Sequence, residues 1–188
     1  MSSVTFEGNS ELATIGEKAF YYCDDLGAIS IPASVTAIGK FAFRDCSSLS
    51  SVTFEGNSEL ATIGDEAFLN CNHLGAISIP ASVTAIGGSA FYFCTSLSSV
   101  TFEKNSNLTT IGDSAFNNCG NLDEISIPAS VTAIGKYAFR YCNLSSIVFE
   151  DAENSELKII KEFAFSDTSV RSIVIPDSVT TIEGSVFN

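Results

Sequence analysis

Apolar and polar residues alternate over short stretches of this chain, and the alternation recurs along its length. One such stretch has Leu26, Ile29 and Ile31 in the pattern Leu-x-x-Ile-x-Ile, with the polar Ser30 between the two isoleucines. A period of two residues predicts a short β-strand with one buried face and one solvated face. Pro32 follows directly and is expected to end the strand, because proline has no N–H group for the sheet ladder.

A second apolar cluster follows each predicted strand and brings the chain back to the core. Val35 and Ile38 are expected to point inward, and Gly39 is expected to allow a sharp bend. The spacing of Phe43 and Cys46 predicts one short helical or 3₁₀ turn. A strand, a bend and such a turn would complete one coil of a larger structure.

The two clusters form a unit that repeats along the chain. One phenylalanine marks each unit: Phe20, Phe43, Phe68, Phe91, Phe116, Phe139, Phe165 and Phe187. Six units have a cysteine three residues later, at spacings of 23 and 25 in alternation: Cys23, Cys46, Cys71, Cys94, Cys119 and Cys142. Odd units are longer because a turn rich in Gly, Asn and Ser holds two extra residues, and such a turn can lengthen at small entropic cost.

A fixed repeat of this length predicts a solenoid. A unit of 23 to 25 residues cannot bury its apolar face alone, so neighbouring units must stack. We expect a β-rich, right-handed solenoid that spans residues 1–188 as one domain, with a parallel sheet on one face and short helical turns opposite. About eight units, the last one truncated, would form a rod roughly 35 to 40 Å long. Neither end has a polar capping unit, so we expect further sequence or another subunit to cover the ends.

The consensus of these units closely resembles the BspA-type leucine-rich repeat. It is Leu-x-x-Ile-x-Ile-Pro-x-Ser-Val-Thr-x-Ile-Gly-x-x-Ala-Phe-x-x-Cys-x-x-Leu, and it recurs over seven units. The resemblance implies the solenoid fold. It also implies a cell-surface or extracellular protein that takes part in adhesion. Because the family has no catalytic residues, the resemblance implies none in this chain. Two features depart from the family: the sequence shows no surface-anchoring segment, and Thr168 replaces the cysteine of the seventh unit.

Composition excludes several classes of protein. The chain has 22 acidic and 9 basic residues and a net charge of −13. Because a nucleic-acid-binding protein needs clustered Lys and Arg, we expect no nucleic-acid partner. No apolar run reaches the roughly 18 residues of a membrane-spanning helix, so we expect no membrane insertion. Residues 1–4 show no secretory signal, so a surface location would require that the chain be part of a larger protein.

The residues that usually carry chemistry are poorly placed for it. Single cysteines on successive coils cannot surround a metal ion, so we predict a packed thiol column, with disulfides between neighbouring coils as the alternative. His73, the one histidine, lies in a variable surface loop. A carboxylate column at Glu7, Glu55, Glu103 and Glu150 has a spacing of roughly 10 Å, too wide to share a calcium ion. We expect no cofactor, no metal and no enzymatic activity.

A column of hydroxyl groups is expected on the outward face of the strands. Its members are Thr5, Ser30, Thr53, Ser78, Thr101 and Ser126. A flat, regular array of this kind suits a carbohydrate or an ice surface, which is the weaker alternative for the function. Small residues at these positions also follow from tight strand packing.

Internal variation is confined to the turn segments. Residues 3–50 and 51–98 differ only between the repeated Gly and Leu positions. In even units the varying positions hold aromatic and arginine residues: Phe41, Arg44, Tyr92, Phe93, Tyr137, Arg140 and Tyr141. These residue types often anchor interfaces, so we predict that they bind a protein partner. The alternative is that they are tolerated solvent positions whose rings lie on the surface.

Together these features predict a non-catalytic module for protein interaction or adhesion. Its partner would be a host-matrix protein, another cell-surface protein or a subunit of an assembly, and end-to-end self-association is a further option. The leading alternative function is a structural or linker subunit inside a larger assembly, which suits a solenoid whose ends lack caps.

Overall fold

The computed structural model describes residues 1–8 and 10–188 and shows a parallel-strand β-solenoid of about seven turns. We number its coils 1 to 8 after the phenylalanine that each contributes, from Phe20 in coil 1 to Phe187 in coil 8. Equivalent positions of successive coils form columns along the solenoid axis.

The described residues form strands of two lengths, four residues and two residues. In chain order they are β1 (Thr14–Ile15), β2 (Ala28–Ile31), β3 (Ala37–Ile38), β4 (Ser51–Phe54), β5 (Thr62–Ile63), β6 (Ala76–Ile79), β7 (Ala85–Ile86), β8 (Ser99–Phe102), β9 (Thr110–Ile111), β10 (Glu124–Ile127), β11 (Ala133–Ile134), β12 (Ser146–Phe149), β13 (Ile159–Ile160) and β14 (Thr181–Ile182). In β2, Ile29 and Ile31 are buried and Ser30 is exposed, which confirms the predicted alternation. We call the exposed surface of the four-residue strands, with the equivalent segments 3–6 and 172–175, the strand face.

The four-residue strands pair two by two, and they do not form the single continuous sheet expected from the sequence. Full parallel ladders join β2 to β4, β6 to β8 and β10 to β12. Each even coil is therefore paired with the odd coil that follows it. Between an odd coil and the next even coil, the described residues keep only the pairing of Ser51 in β4 with Ala76 in β6.

Proline explains this alternation. In odd coils, the residue after the strand donates its N–H to a carbonyl of the preceding even coil, as Glu55 does to Ile31 at 3.0 Å. The same position in an even coil is proline, such as Pro80, which has no N–H to donate to the odd coil before it. The ladder therefore opens after each odd coil, and shallow clefts lie at these openings.

The two-residue strands form a second sheet, which the sequence analysis did not predict. Its eight strands run in the order β1, β3, β5, β7, β9, β11, β13 and β14. The isoleucine of each strand points inward in most coils, and Ile38 of β3 is almost completely buried. Two residues of alternation are too short a pattern to be distinguished from a turn, which is why the sequence did not reveal this sheet.

The glycine after most two-residue strands allows neighbouring coils to approach closely. A Cβ atom at Gly112 would lie 2.6 Å from the backbone carbon of Gly87 in the coil before it. Among the described residues no glycine has a positive φ, so the bend expected at Gly39 does not use the left-handed freedom of glycine. The repeated glycine therefore reflects backbone packing.

The third part of each coil is a run of hydrogen-bonded turns, so the prediction of a short helical or 3₁₀ turn is wrong. In coil 4, Ala90, Tyr92 and Cys94 donate N–H groups to carbonyls three residues earlier, at 3.1 to 3.4 Å. Ser89 and Phe93 have positive φ values of 53° and 60°. Because a helix needs negative φ throughout, left-handed residues at every fourth position produce successive turns instead. No helix occurs in residues 1–8 and 10–188.

The same left-handed residues direct alternate N–H groups toward the next coil. Phe93 donates its N–H to the carbonyl of Asn117 at 3.0 Å, and Phe41 donates to Asp65 at 3.0 Å. The turns of successive coils are thereby joined into a third stacked layer. We call this layer the turn ribbon and its solvent side the turn face; it consists of residues 16–23, 39–46, 64–71, 87–94, 112–119, 135–142, 161–168 and 184–188.

The core lies between the two sheets and the turn ribbon. Its main element is the phenylalanine stack, in which neighbouring ring centres are 5.0 to 5.8 Å apart from Phe20 to Phe187. The rings from Phe43 to Phe165 are completely buried. Stacked aromatic rings contribute a large buried apolar area in every coil, which makes the stack a principal source of stability.

Candidate interaction surfaces

In coils 2, 4 and 6, three positions of the turn ribbon are at least partly exposed, whereas in coils 3, 5 and 7 the middle one is buried, at Leu69, Asn117 and Ser166. In coil 4 the three positions hold Ser89, Tyr92 and Phe93, whereas the intervening Ala90 and Phe91 are completely buried. The first and third of these positions are the left-handed residues of the turn. The alternation of turns thus fixes which side chains enter the core and which lie on the turn face.

Arg44 is the centre of a first cluster on the turn face, in coils 1 to 3. Its guanidinium lies 5.5 Å from the ring centre of Phe41 and 6.0 Å from that of Tyr21. It also forms an ion pair with Asp45 at 3.1 Å and another with Glu66. Arginine is therefore held between aromatic rings and carboxylates, where its charge interacts favourably with both. We call these five residues the Arg44 cluster.

Arg140 is the centre of an equivalent cluster in coils 6 and 7. Its guanidinium lies 4.3 Å from the ring centre of Tyr141, 5.4 Å from that of Tyr137 and 5.8 Å from that of Phe163. Its Nε donates a hydrogen bond to Asp167 at 2.9 Å. We call these residues the Arg140 cluster. Because Arg44 and Arg140 are four coils apart, the two clusters are separated by roughly 19 Å along the axis.

Tyr92 and Phe93 lie between the two clusters, in coil 4. Their rings meet edge to face with the centres 4.7 Å apart, and Phe93 is 38% exposed. The structure thus brings all seven residues proposed from the sequence to one side of the solenoid, in three groups.

Several aromatic residues of this side were missed because the sequence analysis considered only even coils. Tyr21 and Tyr22 of coil 1 meet edge to face at 4.4 Å, and Tyr22 is 59% exposed. Phe163 of coil 7 stacks on Tyr137 at 5.2 Å. The signal that could have identified them is their place in the repeat, since Tyr22 is equivalent to Phe93.

The turn ribbon contains most of the basic residues of this acidic chain, together with a similar number of acidic residues. Six of the nine basic residues lie in the turn ribbon: Lys18, Lys40, Arg44, Lys136, Arg140 and Lys161. The hydrogen bond to Asp167 raises the pKa of Arg140, and the hydrogen bond to Glu162 raises the pKa of Lys136. The carboxylates of Glu162 and Asp167 thus hold Lys136 and Arg140 in place.

The strand face is smoother and bears small side chains. Thr53 and Ser78 are exposed as predicted, whereas Ser126 is half-buried and donates a hydrogen bond to Glu150 at 2.9 Å. Toward coil 8 the hydroxyl groups give way to valine, and Val174 is 79% exposed. This face has hydroxyl groups and shallow clefts but few large side chains that could anchor a partner.

The carboxylate column beside the strands has a structural role. Glu55 and Glu103 accept hydrogen bonds from the N–H groups of Ala33 and Ala81, at 3.4 and 3.1 Å. Each of these bonds joins an odd coil to the even coil before it. The column therefore strengthens the same coil pairs that the strand ladders form.

The cysteine column is a packed thiol column, as the sequence analysis predicted. All six cysteines are free, and all but Cys23 are buried. Cys46 donates a hydrogen bond from its Sγ to the carbonyl of Phe20 at 3.0 Å, and the equivalent bond recurs in the next four coils. Burial raises the pKa of Cys46 and Cys94 to about 12. These thiols are protonated at neutral pH and are therefore poor nucleophiles.

The remaining candidates for chemistry are the single histidine and possible metal ligands. His73 is exposed, and its Nδ1 lies 2.6 Å from the carbonyl oxygen of Ser47. In the described part of the chain, no three His, Cys, Asp or Glu side chains are placed to hold a metal ion. In residues 1–8 and 10–188, no helix is long and apolar enough to cross a membrane.

Comparison with known families gives one strong match. The family model of the BspA type leucine rich repeat region matches residues 13–145 and 109–188, in six copies. No curated protein matches the sequence.

Several solved structures share the fold. The pneumococcal vaccine antigen PcpA superposes with a TM-score of 0.69 and 24% identity, over 94% of this chain and 65% of that protein. A leucine-rich repeat protein from Bacteroides ovatus has a TM-score of 0.66 and 31% identity, over 98% of this chain and 52% of that protein. A leucine-rich cell surface protein from Faecalibacterium prausnitzii has a TM-score of 0.66 and 30% identity, over 94% and 40%. The chain thus spans 40% to 65% of the length of these proteins.

Proposed function

Because this chain belongs to the BspA-type leucine-rich repeat family, we propose that it is a non-catalytic module that binds a protein partner through its turn face. The observation that carries the proposal is the gathering of aromatic and arginine side chains, half-buried or exposed, at the varying positions of the repeat. Such residues dominate the binding energy of many protein interfaces. The strand face bears mostly small side chains and offers few comparable anchors.

Bulky residues at left-handed positions support this proposal. Phe93 and Tyr141 have φ values of 60° and 57°. A left-handed conformation costs an ordinary residue about 1 to 2 kcal/mol, whereas asparagine adopts it more easily. Coils 3 and 5 have Asn70 and Asn118 at the same position, so the fold does not need a ring there. A ring that is retained at some cost to stability is a candidate for a role at the surface.

The two arginine clusters also suit recognition because their side chains are already ordered. Arg140 is held by Tyr141, whose hydroxyl oxygen accepts a hydrogen bond at 2.7 Å, and by Asp167. A side chain that is fixed before binding loses less conformational entropy when a partner docks. Arginine and aromatic edges side by side fit a protein surface that combines carboxylates with apolar groups.

We propose a cell-surface or extracellular location. Support comes from the family and from the leucine-rich cell surface protein of Faecalibacterium prausnitzii, which is 30% identical over 94% of this chain. In that setting the partner would be a protein of the host matrix or of another cell surface, and the role would be adhesion.

Surface plasmon resonance against a panel of purified extracellular-matrix proteins tests the proposal. A turn-face variant has Tyr92→Ser, Phe93→Asn and Tyr141→Asn, and each new residue already occupies the equivalent position of another coil. We expect at least one matrix protein to bind the unmodified chain. The variant should bind it at least about tenfold more weakly, because the loss of two or three anchors exceeds roughly 1.4 kcal/mol.

A strand-face variant provides the matched control. It has Thr53→Gln, Ser78→Gln and Thr101→Gln, which replace three hydroxyl groups of the strand face with larger, uncharged amide side chains. This variant should bind the matrix protein as the unmodified chain does. Absence of any matrix ligand, or equal losses in the two variants, would contradict the proposal. A carbohydrate ligand that only the strand-face variant loses would instead support the alternative function.

A further inference from the structure

The turn face is corrugated with a period of two coils. In coils 2, 4 and 6 the middle outward position of the turn ribbon bears Arg44, Tyr92 or Arg140, which are partly exposed. In coils 3 and 5 the equivalent residues, Leu69 and Asn117, are buried with 8% of their surface exposed. The large side chains of the even coils therefore form ridges. We call the depressions between these ridges the coil 3 valley and the coil 5 valley.

The distance between the two valleys follows from the spacing of the coils. In the phenylalanine stack, the ring centres of Phe43 and Phe68 are 5.1 Å apart, and those of Phe68 and Phe91 are 5.2 Å apart. The valleys are two coils apart, so their separation along the solenoid axis is about 10 Å. A ligand that fills both valleys must present equivalent groups at this interval.

We infer that the turn face binds a proline-rich segment of its partner in the polyproline II conformation. The inference rests on the proposed function and adds the chemistry of the partner to it. A polyproline II helix has three residues per turn and a rise of about 3.1 Å per residue, so its turns are about 9.3 Å apart. Prolines in the spacing Pro-x-x-Pro therefore lie on one side of the helix, and one proline occupies each valley.

Other backbone conformations match the turn face less well. In a β-strand, side chains recur on one side every two residues, or about 6.7 Å, which is too short for the valleys. In an α-helix, residues seven apart lie about 10.5 Å apart on one side, but the N–H and C=O groups are already bonded within the helix. A helix therefore has no backbone groups to offer to the polar side chains of the ridges.

The polar side chains of the ridges suit the carbonyl groups of a polyproline II chain. Such a chain has no internal hydrogen bonds, so its carbonyl groups are free to accept them from a partner. All five tyrosines of the protein lie in the turn ribbon, at positions 21, 22, 92, 137 and 141. The hydroxyl oxygen of Tyr141 accepts a hydrogen bond from Arg140 at 2.7 Å, and that bond leaves the O–H group of Tyr141 available to donate. The ridges thus offer donors beside the valleys.

The ridge of coil 4 lines both valleys with aromatic rings. Tyr92 and Phe93 stand between the two depressions, and the ring of Tyr141 lies with the guanidinium of Arg140 on the far side of the coil 5 valley. Arg44 closes the far side of the coil 3 valley. Proline-rich segments dock in grooves lined by aromatic side chains, and their preformed conformation lowers the entropy lost on binding.

The charge of the turn ribbon fits an uncharged ligand. Although the whole chain has a net charge of −13, the turn ribbon contains six basic and seven acidic residues. Ion pairs such as Lys136 with Glu162 and Arg140 with Asp167 neutralise several of them locally. A proline-rich segment needs no charge to match this surface, so we expect its binding to change little between low and high salt.

Fluorescence anisotropy with a labelled polyproline peptide of twelve residues tests the inference. A Gly-Ser peptide of the same length is the control ligand, because it is flexible and does not hold the polyproline II conformation. The unmodified chain should bind the polyproline peptide and not the Gly-Ser peptide. The turn-face variant should bind polyproline at least about tenfold more weakly, whereas the strand-face variant should bind it as the unmodified chain does.

A valley-filled variant tests the placement of prolines in the two valleys. Asn70→Phe and Asn118→Phe put into coils 3 and 5 the residue that coil 4 has at this position, Phe93. These changes add aromatic anchors but fill the valleys, so polyproline binding should fall at least about tenfold while the circular dichroism spectrum is unchanged. The control, with Asn70→Ser and Asn118→Ser, leaves the valleys open and should bind polyproline as the unmodified chain does. Equal or tighter binding by the valley-filled variant would overturn the inference.

Polyproline binding and matrix binding can fail independently. If the unmodified chain does not bind polyproline, the inference is wrong, but loss of a matrix protein by the turn-face variant would still support the proposed function. If polyproline binds in the valleys while no matrix protein binds, the inference stands and adhesion to the matrix is contradicted. Equal polyproline binding by the turn-face and strand-face variants would show that the peptide binds elsewhere, which also contradicts the inference.

Discussion

In the turn ribbon, the column of core phenylalanines and the column of the residues that directly follow them differ in how much they change from coil to coil. We call them the inner and the outer column. Phe43 of coil 2 and Phe91 of coil 4 are the same residue and are completely buried. One position later, Arg44 in coil 2 is replaced by Tyr92 in coil 4. Packing thus constrains the inner residues, while the outer ones can change without disturbing the solenoid.

The strand face shows that exposure alone does not explain this variation. Thr53 and Thr101, two coils apart, are both exposed and identical. Across residues 3–50 and 51–98, the strand face does not change at all, while the turn face changes at most of its outward positions. Between these two segments, variation is therefore confined to the turn ribbon and the few residues after it, whereas later in the chain the strand face also changes, to Val148 and Val174.

The largest expected difference is between two neighbouring aromatic residues. Phe91→Ala removes a ring from the stack and should lower the free energy of unfolding by about 3 to 5 kcal/mol. Phe93→Ala removes an exposed ring and should change it by less than about 0.5 kcal/mol. Guanidinium denaturation of both variants measures the difference. Similar losses in the two variants would show that the phenylalanine stack and the turn face are not energetically distinct.

A smaller effect is expected from the inner thiols at high pH. Burial raises the pKa of Cys94 to about 12, whereas an unfolded thiol titrates near 8.5. Between these values the folded chain retains a proton that the unfolded chain loses, so stability falls as pH rises from about 9 toward 12. The expected loss is about 1.4 kcal/mol per pH unit for each such thiol.

Denaturation under reducing conditions at pH 8, 9 and 10 tests the thiol prediction. Other groups also titrate in this range, so the comparison is between the unmodified chain and Cys94→Ala. The variant is less stable at pH 8 because a side-chain atom is missing from the core, but its stability should fall less steeply with pH. Parallel pH profiles would show that Cys94 does not retain its proton in the folded chain.

The smallest expected effect is a gain in stability on the turn face. Phe93 has a φ of 60°, which asparagine tolerates better than phenylalanine. Phe93→Asn should therefore raise the free energy of unfolding by a few tenths to about 1 kcal/mol. Phe93→Ala is the control, because alanine removes the ring but has no such tolerance. A lower stability for Phe93→Asn than for Phe93→Ala would contradict the assignment of backbone strain to this position.

The sequence was sufficient to predict the solenoid and its core, because the repeat determines which positions stack, but not the second sheet or the turns. Regular spacing of Ile29, Ile31 and Phe43 identified the strands and the core, and the structure confirms their burial. The left-handed turns could not be recognised, because residues such as Phe41 and Tyr22 occupy positions at which glycine or asparagine is the usual signal.

The candidate surface was only partly predictable for a related reason. The variable positions could be found by comparing units, but contacts such as that from Arg44 to Glu66 join different coils. They depend on the three-dimensional stacking of side chains that are 22 residues apart in sequence. The pairing of coils could not be predicted from the pattern of a single unit. It depends on the residue after the strand, which is proline in even coils and glutamate in odd coils.

Hydrogen exchange on the complex with a bound matrix protein tests most directly whether the turn face carries the interaction. We predict that binding slows exchange in peptides that cover residues 88–94 and 136–142 and leaves those that cover residues 76–79 and 99–102 unchanged. Protection confined to the strand peptides, with no change in the turn ribbon, would contradict the account.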